Sequence, residues 1–127
     1  MALSASFQSF AAEQLAPLGP IVVKRMFGGA AVYLDGKIFA LLDNDAVYFK
    51  VDESTKPKFK AENMEALTYP SKNGLMTMDR YWRCPDRLFD EPDELIAWAK
   101  AAVGVSLADI VKPKRPKSSV KAKTQKA

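Results

Sequence analysis

Apolar β-forming runs separated only by short turn signals constrain the fold of this chain more than any other feature. The pair Gly28-Gly29 precedes one such run, and the pair Asp35-Gly36 interrupts it. Sharp corners between antiparallel strands need residues that tolerate a positive φ, as glycine does most readily. The pattern therefore predicts an antiparallel meander, with strands over residues 21–26, 30–34, 37–42 and 46–51.

Further elements are predicted on both sides of this meander from helical periodicity, capping residues and β-forming side chains. They are a first helix that Ser4 or Ser6 caps and Gly19-Pro20 ends, a short helix over residues 52–64, strands over 66–69 and 75–83, and a last helix from about Glu91 to Val103 that Gly104 ends. The sequence thus predicts an α+β fold in two layers, with an antiparallel five- or six-stranded sheet and three helices mainly on one face.

The second and third predicted strands are apolar at both alternating positions. In residues 30–34, Ala31 and Tyr33 alternate with Val32 and Leu34. Such strands need cover on both faces of the sheet, and the helices supply it on one face only. We therefore expect a protein partner on the other face, either an unidentified protein or a second copy in a homodimer.

Composition restricts the chemistry that the chain can perform. It has no histidine, and Cys84 is its single cysteine, so histidine-based catalysis, disulfides and thiolate metal clusters are not expected. No apolar run approaches the roughly 20 residues that span a bilayer, and no signal peptide is recognisable. We therefore expect a cytoplasmic protein that is not an enzyme, binds no cofactor or metal and does not enter a membrane.

The turn motifs belong to a longer set of residues that follow one another in a specific order. The motif residues are Arg25, Met26, Phe27, Gly28, Gly29, Asp35 and Gly36. They are accompanied by Tyr33-Leu34 before Asp35, Phe49-Lys50-Val51-Asp52 at a strand end, and residues 94–99 in the last helix. With this set the chain resembles the N-terminal domain of the TfoX/Sxy family of bacterial competence regulators over roughly residues 20–103. The resemblance implies a structural role for the motif residues, and a protein that regulates DNA-uptake competence through protein or nucleic-acid contacts.

Two patterns in the body have competing interpretations. Gly28-Gly29 after Lys24-Arg25 could form an anion-binding turn, but no helix follows the glycines and we favour a structural corner. Tyr33, Phe39, Tyr48 and Phe49, interleaved with lysines at 37 and 50, could stack nucleic-acid bases. We favour core packing, with at least half of these aromatic residues under the helices, because aromatic side chains are ordinary strand formers.

Residues 79–87 form the densest charged and aromatic segment of the body. Arginine and tryptophan concentrate binding energy at interfaces. The competing interpretation pairs the arginines with nearby acids and packs Tyr81 and Cys84 in the core. Neighbouring arginines could lower the pKa of Cys84, but we interpret this thiol as inert because no base accompanies it. The candidate interaction residues are Arg80, Trp82, Arg83 and Arg87.

The basic charge of the chain belongs to its last 16 residues. The net charge is +4, yet residues 112–127 carry +7 and residues 1–111 carry −3. We therefore divide the chain into a folded domain over residues 1–111 and a disordered basic tail over residues 112–127. The tail is a candidate for non-specific nucleic-acid binding, with a merely solubilising extension as the alternative. Its basic residues are Lys112, Lys114, Arg115, Lys117, Lys121, Lys123 and Lys126.

Overall fold

A six-stranded antiparallel sheet forms one layer of the molecule, and helices form the other. The computed structural model describes residues 3–26 and 28–111. The strands are β1 (Ile21–Met26), β2 (Gly29–Leu34), β3 (Lys37–Asp43), β4 (Ala46–Lys50), β5 (Ala66–Ser71) and β6 (Gly74–Arg83). Their spatial order is β1-β2-β3-β4-β6-β5. The predicted α+β class and the antiparallel meander are confirmed, and the strand bounds differ by two residues at most.

Tight corners join the strands of the meander. Asp35 and Gly36 link β2 to β3, both with positive φ (52° and 78°), as a two-residue corner of this hand requires. At the β1–β2 corner, Gly28 has a φ of 81°. Gly29 instead permits close strand approach, because a Cβ built on it would lie 2.4 Å from the Leu42 backbone oxygen. Both glycines therefore serve the structural corner that the sequence predicts.

The helices are α1 (Ala5–Leu15), α2 (Lys56–Ala61) and α3 (Pro92–Val111), with 3₁₀ turns at Ala16–Leu18 and Asp86–Asp90. The predicted cap of α1 is confirmed, since Ser4 Oγ accepts a hydrogen bond from the Phe7 amide at 3.1 Å. No helix in the described part of the chain is long and apolar enough to cross a membrane.

The second helix is shorter than predicted. Residues 52–55 form a turn in which Asp52 Oδ1 accepts hydrogen bonds from the Ser54 amide at 3.0 Å and the Ser54 hydroxyl at 2.7 Å. These bonds satisfy the acid locally, and such side-chain turns compete with helix. At the other end, Asn63 adopts a φ of 62°, which stops the helix before Met64.

The last helix is longer than predicted, because Gly104 does not end it. Val105 and Ser106, in the next turn, are buried. Packing of that turn outweighs the helix cost of glycine, which is about 1 kcal/mol. The helix ends eight residues beyond the predicted Val103, at Val111.

The hydrophobic core lies between the helices and one face of the sheet. Leu95, Trp98, Ala99 and Ala102 of α3 pack in it with strand residues. The Trp98 indole meets the ring of Phe59 from α2 edge to face, with centroids 4.8 Å apart. Trp98 is buried, with 5% of its surface exposed.

Substitution of Gly29 by valine should lower the free energy of unfolding by at least about 1 kcal/mol, because the new Cβ overlaps backbone of β3. Gly28→Val should also destabilise, through strain at positive φ. Chemical denaturation measures both effects.

Gly104→Ala is the matched control for these variants. This glycine lies within α3, and a Cβ there meets nothing within 4 Å. Alanine should stabilise the chain by about 0.5 to 1 kcal/mol, since glycine weakens a helix interior by that amount. Unchanged unfolding curves for both valine variants would contradict the structural role of the corner.

Candidate interaction cleft on the open face of the sheet

Cross-strand register divides the sheet into two faces of different character. One row of neighbours packs against the helices: Val23, Val32, Ala40, Phe49 and Trp82. The adjacent row points to the opposite side: Lys24, Ala31, Leu41, Tyr48 and Arg83. We call this second side the open face, because the core cluster of helices and strands lies on the other side.

A cleft of about 500 Å³ lies on the open face, between the meander and the β5–β6 hairpin. The pairing of the hairpin is irregular at its base, where Ala66 faces Trp82 but Leu67 already faces Met78. Extra residues on one strand bend it locally, which re-aims the outer part of the hairpin relative to the sheet. The principal apolar lining residues are Met26, Ile38, Leu41, Leu67, Tyr69 and Met78.

The surroundings of the cleft are apolar and partly exposed to solvent. Val22 of β1 is 50% exposed, and Met26, Tyr69 and Met76 are also among the exposed large apolar residues. Methionine is flexible and polarizable, so a surface that contains several of them can adapt to apolar side chains of different shape. The cleft therefore has the lining expected of an apolar binding surface.

Few polar groups accompany this lining. Asp43 alone is charged among the described residues that line the cleft, and its Oδ1 would lie 3.6 Å from a Cβ on Gly29. The Tyr81 hydroxyl is also present, with a pKa raised by burial. No group of three potential metal ligands occurs within residues 3–26 and 28–111. The cleft can bind an apolar group and exclude water from it. The lining residues that the structure describes include no nucleophile with a positioned base.

The family comparison agrees with this architecture. The model of the TfoX N-terminal domain matches residues 13–106, which include every strand and most of α3. The chain belongs to the TfoX N-terminal domain family. A search of curated proteins found no match. Both walls of the cleft lie within the matched segment, so the cleft is part of the family domain in this chain.

The arginines predicted as interaction residues do not converge on one surface. Arg80 binds Asp109 at 2.8 Å and Arg83 approaches Asp86 at 3.4 Å. Arg87 pairs with two carboxylates, those of Glu62 and Glu94, at 2.6 and 2.8 Å. The structure thus favours their interpretation as ion pairs, and a role for them in partner binding stays a prediction.

The tryptophan of the same segment lies on the helix side of the sheet. Trp82 packs against the core cluster, and its Nε1 donates a hydrogen bond to the Asp79 carbonyl at 2.9 Å. Of the other predicted residues, Phe27 and the seven basic tail residues lie outside the described part of the chain.

The suggestion that arginines lower the pKa of Cys84 is wrong. Burial raises this pKa to about 12, and the opposing charges of Arg83 and Arg87 do not overcome it. The thiol is only 1% exposed and packs in the core cluster. Cys84 is therefore a small core residue.

The aromatic residues of the meander divide between the two faces. Phe39 and Phe49 are fully buried, which agrees with the core interpretation. Tyr33 and Tyr48 lie on the open face by register. Lys50 pairs with Asp109 at 3.0 Å. The four rings therefore do not form one continuous stacking platform.

Sequence reasoning missed the hairpin wall of the cleft. Leu67, Tyr69 and Met78 received no functional interpretation, although apolar residues alternate with threonine across the two strands. The alternation was a usable signal for one apolar face of the hairpin. Its position over the meander depends on the irregular register, which alternation alone does not specify.

The ion pairs of Arg87 with Glu62 and Glu94 should contribute to stability in a pH-dependent way. Hydrogen bonds from Arg87 hold the pKa values of Glu62 and Glu94 below the usual value for glutamate. A depressed folded-state pKa contributes stability above the unfolded value, and the contribution is lost as the pH falls through the folded value.

Arg87→Gln should therefore be less stable than wild type at pH 7, and the difference should shrink as the pH falls below about 4.3. Denaturation curves across pH 3 to 7 measure it, and Lys100→Gln, an exposed change on α3, is the control. A stability difference that is constant over this range would contradict the ionic coupling.

Proposed function

We propose that the chain is a non-catalytic regulatory domain that binds a partner protein through the cleft on the open face. The observation that carries this proposal is the apolar cleft itself, about 500 Å³ in volume and opposite the helix layer. An exposed apolar surface with a partly polar rim is typical of protein interaction sites.

Support for a non-catalytic role comes from the chemistry of the residues. The chain has no histidine, and its one thiol is buried with a raised pKa. Hydrogen bonds to Glu94 and Glu62 raise the pKa of Arg87, and those to Asp79 and Glu53 raise the pKa of Lys56. Such pairs stabilise structure, whereas catalysis needs a poised acid or base near a bound substrate.

Family membership supports a regulatory context. The chain belongs to the TfoX N-terminal domain family and resembles the N-terminal domain of bacterial competence regulators. We therefore propose that it acts in the bacterial cytoplasm on a regulatory partner. Regulation of DNA-uptake competence and of transcription is the specific form of this proposal.

Charge in the cleft should abolish partner binding without unfolding the domain. Met26→Glu and Tyr69→Glu place a carboxylate at exposed apolar positions on opposite walls of the cleft. Affinity capture from cells, with nuclease treatment to remove nucleic-acid bridging, should lose at least about 90% of the specifically captured protein in each variant, since a buried unpaired charge is costly.

Leu107→Glu is the matched control, because Leu107 is similarly exposed but lies on α3 in the helix layer. It should retain capture at the wild-type level. Equal capture by all folded variants would contradict a role for the cleft.

A second candidate function rests on the charge of the tail. Residues 112–127 carry +7 while residues 1–111 carry −3, so a polycation is joined to a mildly acidic body. Lysine and arginine side chains contact phosphates whatever the base sequence, because the attraction is between charges. We propose, as the alternative, an accessory non-specific nucleic-acid binder that acts through the tail.

In this alternative, DNA affinity should reside in the tail and be independent of the DNA sequence. Fluorescence anisotropy with two unrelated duplexes should give dissociation constants of about micromolar or weaker, and a log-log salt slope no steeper than about −6. Residues 1–111 alone should not bind. Tight and sequence-selective binding by that truncated chain would contradict the charge argument.

A further inference from the structure

Two residues of opposite charge, Lys24 and Asp43, lie on the open face without an ion-pair partner in the described part of the chain. Lys24 lies in the same cross-strand row as Leu41, and its Nζ is 5.4 Å from the centroid of the Tyr33 ring. Asp43 lines the cleft two residues beyond Leu41 on β3. Neither Lys24 nor Asp43 makes an ion pair with another residue of the described ranges.

We propose that the partner on this face is a second copy of the chain, in a two-fold dimer that pairs Lys24 of each copy with Asp43 of the other. The proposal rests on the proposed function, because it identifies the occupant of the same cleft. It gives both charged side chains an ionic partner, which neither has among residues 3–26 and 28–111.

The spacing of the two charges fits this arrangement. Adjacent strands are about 4.8 Å apart and the rise along a strand is about 3.3 Å per residue, which places the Cα atoms of Lys24 and Asp43 about 12 Å apart. A two-fold axis that passes midway between them exchanges their positions. Each dimer then contains two equivalent Lys24–Asp43 pairs, one at each side of the axis.

The apolar surface between the charges is suited to contact with itself. A two-fold interface uses the same patch on both copies, so the patch must be self-complementary. By register, Met26 and Leu41 occupy the other two corners of the rectangle that Lys24 and Asp43 define. Tyr69 lines the cleft from the hairpin, and Val22 is an exposed apolar residue of β1. Flexible methionine side chains can repack against an identical surface, and the charged pairs fix the relative orientation.

A second copy of the chain fits the charges of the open face better than a strongly acidic or a strongly basic partner does. A strongly acidic partner would meet Asp43, and a strongly basic partner would meet Lys24, at like-charge contacts. A copy of this chain offers both signs with the required spacing. Arg83 and Lys50 also share the open face by register. Their charges are balanced within the chain, because Arg83 pairs with Asp86 and Lys50 with Asp109.

Charge reversal tests the pairing in the full-length chain. Sedimentation equilibrium from about 1 to 500 µM, a range that covers micromolar dissociation constants, should show a reversible dimer. Lys24→Glu and Asp43→Lys alone should each weaken dimerisation about tenfold or more, because each change turns two attractive pairs into repulsive ones. The double variant K24E/D43K should return to within about threefold of wild type, since it restores both pairs with reversed sign.

Lys100→Glu, an exposed charge reversal on α3, is the control and should dimerise as wild type does. Far-UV circular dichroism and thermal melting establish that each variant is folded. A wild-type chain that remains monomeric to 500 µM, or a double variant no better than the single ones, would overturn the proposal. Loss of capture in Met26→Glu and Tyr69→Glu would still support the proposed function in that case, with a different protein as partner.

Discussion

Packing of α1 and α3 against one face of the sheet is the interaction on which the other features of this domain depend. Alternate residues of the meander supply that core, and Phe39, Phe49 and Leu95 are completely buried in it. The meander is apolar at both alternating positions, so covering one side leaves apolar residues on the other. The hairpin β5–β6 covers that other side only in part, and the cleft is the uncovered remainder.

Ion pairs link the helices and turns to one another and to the sheet. Arg87 holds two glutamates, and Lys56 lies between Glu53 and Asp79. Asp109 near the end of α3 accepts bonds from Lys50 and Arg80, which attaches the helix end to β4 and β6. Burial raises the pKa of Asp109, but these two cations outweigh it and hold the pKa below its usual value. Each of these groups stabilises the fold at its own position.

Local signals in the sequence were sufficient for the meander, because its corners require particular residues. Asp35-Gly36 and Gly28 adopt the positive φ that their types permit, and these tight corners set the pairing of the strands next to them. The last helix was predicted too short because tertiary burial of Val105 and Ser106 overrides the local preference of Gly104.

The cleft was predictable only in part. Apolar residues at both alternating positions of β2 and β3 indicated that the second face of the sheet also needs cover. This pattern predicts the wall of the cleft that the meander forms. The other wall depends on the step in pairing from Ala66–Trp82 to Leu67–Met78, which is a tertiary property of the hairpin. The apolar composition of β2 and β3 therefore predicts one wall of the cleft. The other wall is known only from the strand pairing in the folded hairpin.

Thiol labelling tests most directly whether the open face is accessible while the helix face is closed. Cys84 is buried with a pKa of about 12, so the native chain supplies little background reaction. We predict that Ile38→Cys, on the open face, reacts with a maleimide at least about a hundredfold faster than Val47→Cys, in the core cluster, when the folded chain is dilute. Equal protection of the two introduced thiols would contradict a one-sided helix cover and the cleft that follows from it.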